Sequence, residues 1–158
     1  MVLQFKEMSE KELQSLWNKY WEDDPHTASY TLREGKYGRF GSPVTEVIVA
    51  FHDNIPIGYA SWTDFDNWFK VQGVRVAQQY RNKGVGKALM ERVTKVTNKI
   101  GIVNAGNDSS SLWNKNGWKV GKKPKELTQD EWLALNRKGT KVLILDNKQK
   151  KWESVLRR

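Results

Sequence analysis

Seven consecutive residues hold the densest chemistry of the chain. Arg81-Asn82-Lys83-Gly84-Val85-Gly86-Lys87 stands between a strand-like run and the most regular amphipathic helix pattern. Two glycines at spacing two let the backbone pass close to a ligand, and glycine adopts positive φ where other residues are strained. Free N–H groups at the helix start, together with its dipole, favour an anion, typically a phosphate. Arg81, Lys83 and Lys87 add mobile positive charge. The local chemistry is that of a pyrophosphate cradle. Two common phosphate loops fit poorly. A Walker A loop needs Gly-x-x-x-x-Gly-Lys-Ser/Thr, but Arg81 holds its first position and Ala88 its last. The dinucleotide fingerprint needs a third glycine inside a βαβ unit; Leu89 stands there, after strands that read as antiparallel.

Composition excludes several other chemistries. The chain has 158 residues, the size of one ordinary domain, and is 38% hydrophobic with 8 Trp, enough for a core. With no Cys, disulfides, thiolate metal sites and a Cys nucleophile drop out. With His26 and His52 as its only histidines, a His-rich metal site is improbable and no metal is expected. No apolar run approaches the roughly 18 residues of a membrane span, and Met1–Glu10 lacks the apolar core of a signal peptide. A soluble cytoplasmic protein without membrane contact is the expectation. Charge is unevenly spread. Residues 1–70 hold 7 Lys and Arg against 11 Asp and Glu, a balance of −4. Residues 71–158 hold 20 against 7, a balance of +13. The basic half should attract a polyanion such as a phosphate-bearing cofactor, RNA or DNA.

The flanking elements must position the cradle. Residues 2–8 read as a first strand. Ser9-Glu10-Lys11-Glu12 is a capping box, opening a helix whose Leu13, Leu16, Trp17 and Tyr20 form one apolar stripe that ends near Asp23-Asp24-Pro25. Residues 25–43 read as a loop that could cover a site. Strands at 45–51, 57–63 and 68–77, joined by short turns, predict an antiparallel meander. Gly73 inside the third suggests a bulge or a close backbone approach. A helix over 85–99 buries Val85, Ala88, Leu89, Val93 and Val96 and turns Lys87, Glu91, Arg92, Lys95 and Lys99 outward. A buried strand at 100–105 follows, then a short helix at 109–116 ending at Gly117, and the start of a strand at 118–120. Thr128-Gln129-Asp130-Glu131 is a second capping box, and 141–146 is a last strand.

The segment from Val76 to Leu89 closely resembles the acetyl-CoA loop of the GNAT superfamily of N-acetyltransferases, with Arg81, Gly84 and Gly86 at the matching positions. Downstream, Asn107 to Trp118 resembles the family's Asn and Tyr-x-Lys-x-Gly-Phe region; Leu112, Lys115 and Gly117 match, and Trp113 replaces the usual Tyr. The resemblance covers roughly residues 1–120. It implies a mixed α/β fold with a central, mostly antiparallel sheet of six to seven strands flanked by helices. The chain would form a single domain over 1–158, with an inserted helix around 128–138 and a basic C-terminal tail.

The resemblance also implies the reaction: transfer of an acetyl group from acetyl-CoA to a primary amine by direct attack in a ternary complex. Val74, Arg75 and Val76 would offer backbone groups to the pantetheine arm, and one such N–H would stabilise the oxyanion. Asn82, Lys83, Val85 and Lys87 share the cradle, and Asn107, Trp113 and Lys115 join the cofactor set. The family's Tyr is often the acid that protonates the departing thiolate. Trp113 does not ionise in this range, so water or one of Ser109, Ser110 and Ser111 would serve. For the base, Asp64, Asp66, Glu46 and Asp108 are weak candidates, and His52 reads as a surface turn residue. The acceptor stays open between a small molecule and a protein or peptide. Asp23, Asp24 and Glu34 could hold a cationic amine. tRNA or another nucleic acid is a further partner, as is a second copy in a homodimer. The alternative is a non-catalytic module that kept the fold and binds nucleic acid or protein through its basic surface.

Overall fold

A computed structural model describes residues 1–32, 44–96, 98–106 and 109–146. Its elements are β1 (Gln4–Met8), α1 (Glu10–Trp21), β2 (Val44–His52), β3 (Ile55–Asp64), β4 (Trp68–Val76), α2 (Val85–Val96), β5 (Ile100–Ala105), α3 (Ser110–Lys115), α4 (Gln129–Leu135) and β6 (Lys141–Leu145). The six strands form one sheet in the order β1-β2-β3-β4-β5-β6. Every neighbouring pair is antiparallel except β4 and β5, which are parallel. The mixed, mostly antiparallel sheet expected from sequence is present.

Local chemistry explains the boundaries. Ser9 and Thr128 both cap their helices with complete capping boxes, each supporting its helix by about 1 kcal/mol. The β2–β3 turn is Asp53-Asn54, both at positive φ. That is the geometry of a two-residue primed turn, which matches the twist of the flanking strands and tolerates Asp and Asn. Gln78–Tyr80 forms one 3₁₀ turn between β4 and the cradle.

The sheet buries both faces. On one, α2 sends Val85, Leu89, Met90 and Val93 into a core with Ile48, Ala60, Trp62, Phe69 and Val71. On the other, α1 packs Leu13, Trp17 and Trp21 against Val47, Val49 and Tyr59. A third cluster joins Leu135 of α4 and Leu127 to Trp68, Ile100, Ile102 and Val142.

Several expectations change. The α1 stripe uses Trp21 rather than Tyr20, which is 47% exposed. Trp21 follows Trp17 by four residues, and its indole N–H donates to the Pro56 carbonyl at 2.8 Å. Helix α2 ends at Val96. Lys99 lies beyond it, with Nζ 2.6 Å from Asp64 Oδ1. The strand expected at 118–120 reduces to a single bridge, Lys119 with Ile144. β1 begins at Gln4, two residues later than read.

One irregularity shapes everything downstream. Ser61 pairs with Gly73 but Trp62 pairs with Val71, so Gln72 is an extra residue in β4. Side-chain alternation therefore shifts by one. Phe69 and Val71 before the bulge, and Val74 and Val76 after it, all pack on the α2 side. Gly73 and Arg75 thereby reach the α1 side, beside Tyr59 and Ser61.

Candidate active site

The parallel pairing of β4 with β5 runs only from Trp68 with Ile100 to Val71 with Val103. Beyond it the two strands part, leaving the β5-facing edge of β4 from Gln72 to Val76 without a strand partner. A cleft of about 560 Å³ opens there. Its walls are β4 residues Gln72 to Val76, Val103 and Asn104 of β5, Gly86 and Met90 of α2, and Ser109, Leu112 and Trp113 around α3; Arg81 closes one end. An open strand edge offers main-chain donors and acceptors to an extended ligand.

At the Arg81 end lies the start of α2. Gly84 has φ +83, a conformation that L side chains rarely adopt. The first helical bond runs from Ala88 N to Gly84 O at 3.1 Å. The amides of Val85, Gly86 and Lys87 are thus the orphan donors of the helix start. A Cβ on Gly84 would meet nothing within 4 Å, and one on Gly86 only Val76 at 3.9 Å. The turn is therefore open to an incoming group. Positive charge and free amides converge at the end of a cleft edged by an unpaired strand. That combination suits a long ligand with a diphosphate at one end and an amide-bearing arm at the other.

Of the residues expected at the cofactor site, the cleft brings together Val74, Arg75, Val76, Arg81, Gly86 and Trp113. Asn82, Lys83, Gly84 and Lys87 are exposed on the turn leading into α2, whereas the Val85 side chain is buried in the core and leaves only its backbone to a ligand. Lys115 is exposed on α3 and does not line the cleft. Asn107 and Asp108 lie outside the described residues. Arg81 is not the mobile cation expected: its Nε donates to the Val76 carbonyl and its Nη2 to the His26 carbonyl, both at 3.1 Å. It fastens the end of β4 to the turn after α1. Lys83 stands over the Tyr80 ring, 5.6 Å from its centroid.

That turn is itself well tied. Asp24 accepts from His26 N and from the Thr27 hydroxyl, and Thr27 Oγ1 accepts from Gln78 N. The bond from the His26 amide, then that from Thr27, holds the Asp24 carboxyl below its ordinary value. Asp24 is committed to holding backbone.

Asp64, Asp66, Ser110 and Glu46 fall away from the cleft, and Asp108 lies outside the described residues. Asp64 and Asp66 sit at the β3–β4 turn, beside the paired start of β4 and β5 rather than their open end. Asp64 Oδ1 also accepts from Asp66 N at 3.1 Å, and Asp66 holds φ 74. Ser110 is 8% exposed and does not line the cleft; Ser109 does. Glu46 pairs with Trp62 on β2, away from the cleft. Trp113 lines the cleft and packs edge-on against Trp118, centroids 5.0 Å apart. Sequence reading missed Asn104. It lines the cleft, donates to the Leu135 carbonyl at 2.6 Å, and keeps a buried Oδ1 without a partner. A lone Asn in the apolar run Ile100–Ala105 was the available signal.

The sequence matches the Acetyltransferase (GNAT) family over residues 9–118, more than half of its length. The chain belongs to the GNAT acetyltransferase family. It is thereby an acyl-CoA-dependent acetyltransferase. No curated protein matches the sequence significantly. Among solved structures, Tetrahymena GCN5 superposes with a TM-score of 0.64 at 15% identity, covering 90% of this chain and 94% of that one. The PaiA N-acetyltransferase of Thermoplasma acidophilum, in complex with coenzyme A, gives 0.56 at 15% identity over 92% and 99%. The ribosomal-protein-S18-alanine N-acetyltransferase of Escherichia coli gives 0.58 at 10% identity over 90% and 91%. At these identities the likeness is one of fold. Among the described residues no helix of this GNAT chain is long and apolar enough to cross a membrane.

Proposed function

We propose that the protein moves the acetyl group of acetyl-CoA to an amine by direct attack within a ternary complex. The observation that carries this reading is the cleft itself: a strand edge freed by the parting of β4 from β5 leads to three unused amides at the start of α2. The diphosphate sits on the amides of Val85, Gly86 and Lys87, with Lys83 and Lys87 near it. The pantetheine arm runs along Val74, Arg75 and Val76, pairing with main chain as a strand would.

In the reaction, the neutral amine nitrogen attacks the thioester carbon. The new N–C bond forms, the C–S bond breaks, and the sulfur leaves with the electron pair. The amine nitrogen gives one proton to water in the cleft and the thiolate takes one up, so that the products are the amide and the free thiol. A β4 amide stabilises the charge that develops on the carbonyl oxygen, and the cleft holds the two reactants at attack distance. A thiol's reference pKa near 8.5 makes the thiolate a tolerable leaving group, so Trp113 need not ionise. Ser109, on the cleft wall, or water supplies the proton. Crystallisation of the Thermoplasma relative with coenzyme A supports the choice of donor.

Isothermal titration with acetyl-CoA tests the donor site. The unaltered protein is expected to bind, and failure at millimolar ligand would end this reading. Gly84→Val forces a β-branched residue into positive φ, a strain of about 1–3 kcal/mol, or a displaced turn. Its acetyl-CoA affinity should fall at least tenfold with the circular dichroism spectrum preserved. Unchanged affinity would remove the cradle from the account.

A further inference from the structure

A second cavity, of about 250 Å³, lies across β4 from the cleft. The segment 28–31 forms one wall, and Tyr59, Ser61, Gly73 and Arg75 form the other. α1 holds that segment in place. Trp17 Nε1 donates to the Ala28 carbonyl at 3.0 Å, Asn18 exchanges two bonds with the Tyr30 backbone, and Gln14 accepts from Leu32 N at 3.1 Å. Tyr30 and Tyr59 meet edge-on, and the Tyr30 hydroxyl donates to Glu10. The pocket is thus a rigid, largely polar cup rather than a gap between loose loops.

Gly73 and Arg75 border both this pocket and the cleft. The bulge at Gln72 is the cause, because it turns these two residues toward the α1 side while β4 still edges the cleft. A Cβ on Gly73 would meet nothing within 4 Å among the described residues, so the backbone there stands open. The shared border at Gly73 is where a molecule in the pocket comes nearest the cleft.

Charge selects what it would be. Arg75 is the one charged side chain among the described pocket residues. Among the described residues no ion pair or side-chain hydrogen bond engages it, and its side chain is exposed. A guanidinium presents a planar fork of donors suited to a carboxylate. Of the acids expected to draw a cationic acceptor, Asp24 is committed to His26 and Thr27 and Asp23 does not line the pocket, while Glu34 lies outside the described residues. Among the described pocket residues a polyamine would meet a cation and no carboxylate.

We infer that the acceptor is a small amine bearing a carboxylate, an amino-acid-like molecule whose carboxylate pairs with Arg75 and whose amine points through the opening beside Gly73. This rests on the acetyl-CoA reading of the cleft. The transfer is the one described above, with the same N–C bond formed and C–S bond broken.

The test is thiol release from acetyl-CoA by the full chain with matched acceptors: amino acids and the amines left when their carboxylate is removed. The carboxylate-bearing member of each pair should be favoured in kcat/KM by roughly tenfold to a hundredfold, the value of one charge-assisted hydrogen-bonded pair. Arg75→Gln should reduce that preference to about twofold or less, through a rise in KM for the carboxylate-bearing acceptor with kcat kept. Arg75→Lys, which keeps charge without the fork, should fall between. The proposal is overturned if the decarboxylated amines are preferred, if only peptide or protein lysines turn over, or if Arg75→Gln weakens acetyl-CoA instead of the acceptor. Failure of the unaltered protein to bind acetyl-CoA would instead sink the donor site.

Discussion

At the scale of single residues, chemistry follows from what each side chain is already doing. Asp64 illustrates this. Its carboxylate meets Lys99 at 2.6 Å, with both side chains about a third exposed. Such pairs contribute about 0.2–1 kcal/mol. Asp64→Asn should therefore lower stability by less than about 1 kcal/mol in urea titration and leave acetyl transfer within about twofold, a change far smaller than the loss of a general base. A drop of a hundredfold would return Asp64 to the catalytic machinery. Asp24 acts through structure. Its carboxyl pKa is lowered from 3.8, first by the His26 amide bond and then by Thr27. A depressed folded pKa means that the charged form is stabilised by folding. Its contribution is complete above the unfolded value and is lost as pH falls through the folded one. Thermal melts of the parent and Asp24→Ala should thus differ at neutral pH and converge below pH 3.8. A gap independent of pH would show that the carboxylate does not hold the turn. The turn into α2 was legible from sequence because glycine spacing beside a helix pattern is a local signal. Arg81 was legible as a position but not as a tether, since its partners Val76 O and His26 O are main-chain atoms brought near only by folding.

At the scale of elements, most of the fold could be read in advance. Both capping boxes, the meander and the buried strand at 100–105 follow from local pattern, and the structure contains them. What could not be read was the consequence of contact between distant segments. Tyr20 and Trp21 both fit a helical stripe, and only the Pro56 carbonyl decides between them. Gly73 signalled a bulge, but nothing local says that the extra residue is Gln72, or that the shift gives β4 two functional faces. Trp118 to Val120 has strand character, yet β6 offers it only one bridge. The join of β5 to its surroundings yields a sharp prediction. Gly101 sits in β5 where a Cβ would stand 2.5 Å from Phe69 Cζ and 2.7 Å from Trp118 Cη2. Both rings are fully buried, so neither can swing aside. Gly101→Ala should destabilise the protein by about 1–3 kcal/mol through overpacking, seen as a lower urea midpoint at unchanged slope. A midpoint within error of the parent would mean that the Phe69–Trp118 pair has more room than its edge-on packing allows.

For the whole molecule, the deciding quantity is the charge imbalance, −4 over residues 1–70 and +13 over the remainder, for +9 in total. Two roles for that charge differ in their dependence on salt. A molecule that uses its field to draw an anionic co-substrate into a cleft feels the effect before contact. Salt then slows association while dissociation, set by contacts already made, hardly changes. A molecule that uses the same charge as a nucleic-acid platform displaces counterions at each phosphate. Six to ten such contacts would lose on the order of a thousandfold or more in affinity between 50 and 200 mM salt. In the proposed cradle the ligand is held mainly through main-chain amides at the start of α2, which a Debye length of about 8–10 Å scarcely screens once the ligand is seated. Stopped-flow binding of acetyl-CoA should therefore show an association rate falling several-fold from low to physiological ionic strength, with the dissociation rate within about twofold. Titration with tRNA in parallel separates the roles. Tight binding with the steep counterion slope, unaffected by saturating acetyl-CoA, would assign the basic half to RNA. Weak binding would leave the field of the second half to the cleft that β4 and β5 open.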